Sequence, residues 1–172
     1  MKVLAFCGSL RRASMNAALL RATARLAPDG MSLELFDGLG SLPLFNPDLE
    51  ADMPRDVSRM YHALDASDAL LIASPEYAHG VTAVLKNALD WLVGFEGFID
   101  KPVAIFNASP RSVHADAALR EILVTMSARL LDAACLDLPL RGTRLGEEQI
   151  FSTHAHAIRD ALRWLAQGVG AA

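Results

Sequence analysis

Residues 2–16 read KVLAFCGSLRRASMN and combine an apolar run, a polar loop and the start of a helical pattern. After Lys2 the residues are apolar as far as Cys7, which predicts a short buried strand. A small polar loop follows at once from Gly8, and the alanine- and leucine-rich segment Asn16–Leu26 predicts a helix. A strand, a hydroxyl-rich loop and a helix in this order place backbone N–H groups and the positive end of the helix dipole around a phosphate. The stretch therefore predicts a phosphate-binding loop.

The side chains of this loop suit a phosphate that is held largely by hydroxyl groups. They supply two hydroxyls, two guanidiniums and one amide, from Ser9, Ser14, Arg11, Arg12 and Asn16. The loop has neither the Gly-x-Gly-x-x-Gly pattern of dinucleotide sites nor the Gly-Lys-Ser/Thr ending of a P-loop. Because Arg11 and Arg12 are adjacent, we expect only Arg11 to point into the site. The pattern favours a mononucleotide ligand.

The composition indicates one globular domain over residues 1–172, with neither nucleic acid nor membrane as a partner. Apolar residues make up 52% of the 172 residues and charged residues 21%, which is ordinary for a folded domain. A net charge of -4 without a basic stripe argues against nucleic-acid binding. We expect no targeting segment before the first strand, and no apolar run reaches the roughly 18 residues that a bilayer requires. The two cysteines, Cys7 and Cys135, fit reduced thiols better than a disulfide framework, so we expect a cytoplasmic protein.

Apolar runs alternate with helical patterns along the chain. The predicted strands are Lys2–Cys7, Ser32–Phe36, Ala69–Ala73, Val103–Asn107 and Ala134–Leu138, and the predicted helices are Asn16–Leu26, Asp56–Ser67, Thr82–Leu92, Asp116–Leu131 and His154–Ala166. This alternation predicts an α/β three-layer sandwich, in which helices cover both faces of a five-stranded parallel sheet. Right-handed crossovers then favour the flavodoxin-like strand order 2-1-3-4-5. The segment Asp37–Pro54 shows no period and predicts a long irregular loop.

Three polar loops follow predicted strands of this sheet. They are the phosphate loop, Ser74-Pro75-Glu76-Tyr77-Ala78-His79-Gly80 after the third strand, and Ala108-Ser109-Pro110-Arg111-Ser112 after the fourth. In such a sheet the ligand lies beyond the carboxyl ends of the strands, at the point where the strand order reverses. We therefore expect the three loops to converge on one site.

These loops, together with the run Val84-Leu85-Lys86-Asn87-Ala88-Leu89-Asp90-Trp91, resemble the NADPH-dependent FMN reductase family. The resemblance covers residues from Val3 to about Ala108, including Leu42–Leu49. It implies a flavodoxin-like fold, an FMN cofactor, NADPH or NADH as electron donor, and assembly as a homodimer or homotetramer. Members of the family reduce flavins, quinones, azo dyes or chromate.

The resemblance also assigns site residues. It implies that Ser9, Arg11, Ser14 and Asn16 hold the FMN phosphate and that Pro75, Glu76 and Tyr77 border the flavin ring, with Ser109 near its pyrimidine end. The full set of expected cofactor contacts is Ser9, Arg11, Ser14, Met15, Asn16, Pro75, Glu76, Tyr77, Ala78, Ser109 and Arg111.

This chain departs from the family pattern at two positions. Ala78 stands where the family commonly has Asn, and the loop after the fourth strand carries Arg111 where the family is often glycine-rich. Arg111 has two candidate tasks: to lie near the N1–O2 edge of the flavin, or to bind the 2′-phosphate of NADPH.

Several of these residues also have a structural interpretation. Ser14 matches the pattern of a helix N-cap, which is compatible with phosphate binding. Glu76 is as readily a lone surface carboxylate, and Lys86 and Asp90 have the spacing of a helix-supporting ion pair. Trp91 suits the core or a subunit interface, of which we favour the interface. His79 and His114 flank the expected site as candidate proton donors, although loop histidines more often lie on the plain surface.

The sequence thus predicts an enzyme that passes a hydride from NAD(P)H through flavin N5 to a small electron acceptor, such as a quinone, free flavin, azo compound or metal oxyanion. No amino-acid nucleophile and no metal is required. The sequence is also compatible with two alternatives: a flavodoxin-type electron carrier, and a relative that has lost its flavin and acts through protein contacts. A third interpretation treats FMN as a diffusible substrate.

Overall fold

The structure, a computed structural model, describes residues 1–140 and 145–171. Its strands are β1 Lys2–Cys7, β2 Ser32–Leu35, β3 Ala69–Ala73, the hairpin strands β4 Glu76–Tyr77 and β5 Gly80–Val81, then β6 Pro102–Asn107, β7 Arg129–Leu130 and β8 Leu136–Asp137. The main sheet is parallel and runs β2-β1-β3-β6, with β7 and β8 both paired to β6. This arrangement confirms the flavodoxin-like order that the sequence predicts.

Helices cover both faces of the sheet. They are α1 Met15–Leu26, α2 Arg55–Asp65, α3 Ala83–Leu92, α4 Val113–Thr125, α5 Glu147–Thr153 and α6 Ala155–Gly170. One core lies between the sheet and α1, α5 and α6, and a second lies between the sheet and α2, α3 and α4. In the described part of the chain, no helix is both long and apolar enough to cross a bilayer.

Neighbouring residues of the central strands face different cores, which explains their continuous apolar runs. In β1, Val3 and Ala5 pack on the α1 side, whereas Leu4 and Phe6 pack on the α2 side. Every residue of β3 and β6 is buried. A strand with both faces covered cannot alternate between apolar and polar residues, so the sequence shows an unbroken run.

The fifth strand is the part of the sheet where the prediction was partly wrong. It consists of two short pieces, β7 and β8, separated by a 3₁₀ turn at Asp132–Ala134. The helix predicted over Asp116–Leu131 begins earlier, at Val113, and ends at Thr125. The chain then turns through Ser127, whose φ of 58° breaks the helix, and the following residues pair with the start of β6. Apolar spacing alone did not reveal this turn.

The long loop between β2 and α2 is anchored to α3. It contains two 3₁₀ turns, Leu39–Ser41 and Pro47–Asp52. Asn87 Oδ1 accepts a hydrogen bond from the Phe45 N–H at 2.8 Å, and Asn87 Nδ2 donates to the Pro43 carbonyl at 3.0 Å. One turn further along α3, the Trp91 indole N–H donates to the same carbonyl at 2.8 Å. Trp91 is buried within the chain, so our preference for a subunit interface was wrong.

Candidate functional site

The three polar loops meet at the carboxyl edge of the sheet and enclose one cleft of about 390 Å³. The parallel register brings the ends of β1, β3 and β6 to the same edge: Cys7 pairs with Ala73, and Ile72 pairs with Ile105. A cleft of this size suits a cofactor-sized ligand. Its lining residues are Ser9, Arg11, Ala13, Ser14, Met15, Asn16, Ser74, Pro75, Glu76, Tyr77, Ala108, Ser109, Arg111 and Ser112.

Ten of the eleven residues expected from the sequence line this cleft. They are Ser9, Arg11, Ser14, Met15, Asn16, Pro75, Glu76, Tyr77, Ser109 and Arg111. Ala78 does not line it, since it lies in the turn of the β4–β5 hairpin. Four lining residues, Ala13, Ser74, Ala108 and Ser112, were not among the expected contacts. The sequence offered one indication that these four line the cleft: each is adjacent to an expected contact in the same loop.

The first loop ends in a capped helix N-terminus. Ser14 is the N-cap of α1, and its Oγ accepts a hydrogen bond from the Ala17 N–H at 3.2 Å. The first N–H groups of a helix have no partner within the helix and carry the positive end of its dipole. Ser9 Oγ accepts from the Arg11 N–H at 3.4 Å, which forms a local turn at the start of the loop. The local geometry is that of an anion site.

Gly8 allows the first two loops to approach each other closely. A Cβ atom at this position would lie 2.1 Å from Ser74 Oγ and 2.9 Å from Thr82 Oγ1. The Gly8 N–H donates to the Ala73 carbonyl at 2.9 Å, which ties the end of β1 to the end of β3. Only a residue without a side chain permits this contact while Ser74 stays in place.

Two buried polar atoms of the cleft have no hydrogen-bond partner in the described part of the chain. Among the residues that the structure describes, Asn16 Oδ1 and Ser109 Oγ are the buried side-chain atoms without a hydrogen bond. They come from different loops and both side chains line the cleft. An unsatisfied buried polar atom costs about 1–3 kcal/mol, so folded proteins rarely keep one without a use for it. A ligand with hydroxyl and amide groups would satisfy both.

The charge of the cleft is positive on two sides. Arg11 and Arg111 line it from different loops, and neither makes an ion pair within residues 1–140 and 145–171. Arg12 is exposed and does not line the cleft, as the sequence predicts. Unpaired guanidiniums at a concave site attract an anionic ligand.

The one carboxylate of the lining is already committed to the protein. Glu76 Oε2 accepts a hydrogen bond from the Ala115 N–H, in the first turn of α4, at 2.8 Å. Ser112, the N-cap residue of α4, makes no side-chain capping bond of its own. Glu76 therefore caps a helix from a neighbouring loop and places its negative charge at the positive end of the helix dipole.

The hairpin that carries Tyr77 has a strained turn. Ala78 and His79 are its two central residues, with φ values of 49° and 58°. Two positive φ values are the pattern of a type I′ turn, for which Asn-Gly is preferred because other side chains are strained there. Beside this turn, the rings of His79 and His114 stack with their centroids 4.3 Å apart and their planes at 18°.

Among the described residues, Cys7 and Cys135 form no disulfide, and the site offers no cluster of side chains for a metal ion. Across the described ranges, no group of three or more His, Cys, Asp or Glu side chains is arranged to hold a metal ion. Cys7 is a free thiol whose Sγ lies 3.9 Å from Ser14 Oγ, beneath the first loop.

A family model described as NADPH-dependent FMN reductase matches residues 1–139. The chain belongs to this family. A curated relative is an NAD(P)H-dependent FMN reductase from Pseudomonas aeruginosa, 41% identical over 137 residues that cover 76% of this chain and 74% of the relative. A quinone reductase from Pseudomonas putida is 36% identical over 77% of this chain and 72% of its own length.

A solved structure supports the same fold. The flavoenzyme NAD(P)H:(acceptor) oxidoreductase from Paracoccus denitrificans superposes with a TM-score of 0.80 at 26% identity, over 97% of this chain and 98% of that protein. Membership of the FMN reductase family confirms the resemblance seen in the sequence. It also confirms the expectation of an enzyme that works with FMN and a nicotinamide electron donor.

Proposed function

We propose that the protein reduces a small acceptor, of the quinone, free flavin, azo compound or metal oxyanion class, with electrons from NAD(P)H. FMN held in the cleft supplies the two-electron redox chemistry that connects donor and acceptor. The observation that carries the proposal is the pair of unsatisfied polar atoms, Asn16 Oδ1 and Ser109 Oγ, in one cleft that is also lined by two unpaired arginines.

The chain's own residues divide the cleft into two ends. At the first loop, Ser9, Arg11, Ser14 and Asn16 with the start of α1 would bind the phosphate. At the other end, which we call the ring end, Pro75, Tyr77 and Ser109 would border the flavin ring. For these roles the protein must bind and orient the cofactor and keep water out of the cleft. It does not need to supply a nucleophile.

Arg111 would lie at the ring end, since it follows two residues after Ser109 and lines the same cleft. Its unpaired guanidinium suits either the N1–O2 edge of the flavin or the 2′-phosphate of NADPH. We also propose, from family membership, that the protein works as a homodimer or homotetramer. The acceptor would bind where the ring end opens to solvent, beside Tyr77, which is 57% exposed.

The assignment of the phosphate end can be tested by comparing two neighbouring arginines with two ligands. We expect Arg11→Ala to weaken FMN binding by about 10-fold to 100-fold, the value of a charge-assisted hydrogen bond to phosphate. Riboflavin has no phosphate, so its affinity should change little. Titrations followed by flavin fluorescence would measure both dissociation constants.

Arg12→Ala is the matched control, because Arg12 is adjacent, exposed and outside the cleft. It should leave both affinities near those of the wild type. Equal losses from the two substitutions would contradict the assignment of Arg11, and a wild-type protein that binds no FMN would contradict the proposed function itself.

A further inference from the structure

Two contacts join the β4–β5 hairpin to the N-terminus of α4. In the first, the carboxylate of Glu76 caps the Ala115 N–H at 2.8 Å. In the second, His79 in the hairpin turn stacks on His114, the second residue of α4, with ring centroids 4.3 Å apart. We call His79 and His114 the histidine pair. Both rings are exposed and neither lines the cleft, so the pair lies outside the wall that the hairpin and α4 form.

These contacts bracket the residues that border the ring end of the cleft. Tyr77 lies between Glu76 and His79 in the hairpin, and Arg111 and Ser112 directly precede α4. Because Tyr77, Arg111 and Ser112 line the same cleft, the position of the hairpin against α4 shapes the ring end of that cleft. Nothing in the phosphate loop takes part in either contact, so the two ends of the cleft are held by different residues.

The backbone of the hairpin shows that the position of His79 is maintained against strain. Ala78 and His79 both have positive φ values, at the two central positions where Asn-Gly would be relaxed. A strained conformation of this kind persists only where surrounding contacts enforce it. The stack with His114 and the hydrogen bond of Glu76 hold this hairpin against α4, together with Val81 of β5, which packs on the core that includes Leu119.

We propose that Glu76 and the histidine pair are positioning residues, which hold the hairpin against α4 and thereby set the ring end of the cleft for the flavin ring. This inference rests on the proposed function. It assigns Glu76 a role through α4 instead of a direct contact with the cofactor. It also gives the histidine pair a structural task in ligand binding instead of proton donation.

The pair has a property that other stacked rings lack. Imidazole side chains change charge between about pH 5 and 8, and two cations in a face-to-face stack repel each other. The other titratable or charged groups on the surrounding elements are Glu76 and Tyr77 on the hairpin and Arg111, Asp116, Arg120 and Glu121 at α4. Of these, Glu76 is bound to the helix end and Asp116 to Arg120. Acidification should therefore weaken the stack and widen the ring end.

The test compares FMN and riboflavin, since a change at the ring end affects both ligands by the same factor. We expect His114→Ala to weaken the binding of both FMN and riboflavin by about fivefold at pH about 7.5, as the loss of one stacked ring pair implies. Glu76→Gln should also weaken the binding of the two ligands by equal factors. His156→Ala removes an exposed histidine of α6 outside the cleft and is the control, with no expected change.

His114→Phe separates the stack from its charge. It keeps a ring for His79 to stack on but removes one of the two titratable groups, so a protonated His79 then lies over a neutral ring. We expect wild-type affinity at pH about 7.5 and a smaller loss than the wild type shows at pH about 5.5. Circular dichroism and thermal unfolding would verify that each variant is folded.

Three results would overturn the proposal. They are unchanged ligand affinities in His114→Ala, a loss confined to FMN, or the same pH dependence in the wild type and His114→Phe. Failure of the proposed function looks different, because the wild type would then bind neither FMN nor riboflavin at any pH.

Discussion

Cys135 fills the interruption of the fifth strand with its thiol. Strand β6 is paired with β7 at its start and with β8 at its end, and the Ile105 N–H lies between the two paired regions. This N–H donates to Cys135 Sγ at 3.3 Å. Ile105 is buried, so without the sulfur its N–H would lack an acceptor. The cysteine therefore replaces a strand carbonyl.

We predict that Cys135→Ala lowers the free energy of unfolding by about 1–3 kcal/mol, because the buried Ile105 N–H loses its partner. Cys135→Ser keeps an acceptor of similar size and should lose less. Urea unfolding at neutral pH measures both values. Equal losses in the two variants would show that the volume of the sulfur matters and the hydrogen bond does not.

The same thiol gives a pH dependence with a defined sign. Burial raises the pKa of Cys135. A raised pKa in the folded state stabilises the protein below the unfolded value of about 8.5, and this contribution is lost as the pH rises further. Relative to Cys135→Ser, the wild type should therefore lose stability above about pH 8.5. Shifts at Lys101 and Tyr61 occur in both proteins and cancel in the difference. Parallel stability curves would contradict this account.

At the scale of elements, one helix anchors the longest loop. Asn87 and Trp91 are four residues apart, on one face of α3, and both bind the Pro43 carbonyl. The Phe45 ring meets the Trp91 ring edge-on, with centroids 5.1 Å apart. Part of the motif that identifies the family in this sequence is thus explained by loop anchoring. Its neighbours Lys86 and Asp90 form the surface ion pair that their spacing predicts.

We predict that Asn87→Ala lowers the free energy of unfolding by about 1–2 kcal/mol, since the hydrogen bonds to the Leu42, Pro43 and Phe45 backbone are lost. It should also speed amide exchange in residues 42–54. Lys86→Ala, on the same helix, removes only an exposed ion pair and should cost less than about 0.5 kcal/mol. Urea unfolding and hydrogen exchange by mass spectrometry would measure both effects. Similar exchange of residues 42–54 in the two variants would contradict the anchoring role.

Elements with a strong apolar pattern in the sequence could be predicted, whereas elements that form only through tertiary pairing could not. The buried runs in β1, β3 and β6 had to be strands because both of their faces are covered. The pieces β7 and β8 are two residues each, too short for any period, and exist because β6 offers an edge to pair with. The β4–β5 hairpin was also missed, since Ala-His is not a turn sequence that signals positive φ values.

For the whole molecule, the position of the site followed from topology. A parallel sheet brings the loops after β1, β3 and β6 to one edge. The residues predicted for the site from these loops therefore include ten of those that line the cleft. The contact between Glu76 and α4 could not be foreseen, because it joins residues 39 positions apart and depends on where α4 begins. Long-range side-chain partners of this kind leave no local pattern.

The proposed function requires that FMN in this cleft lies where NAD(P)H can reduce it. Rapid anaerobic mixing of the FMN-loaded protein with NADPH, followed through the visible absorbance of the flavin, tests it most directly. We predict bleaching at least as fast as steady-state turnover with a quinone acceptor, followed by recovery of the absorbance when the quinone is added. A flavin that stays oxidised on this timescale would contradict the proposed function.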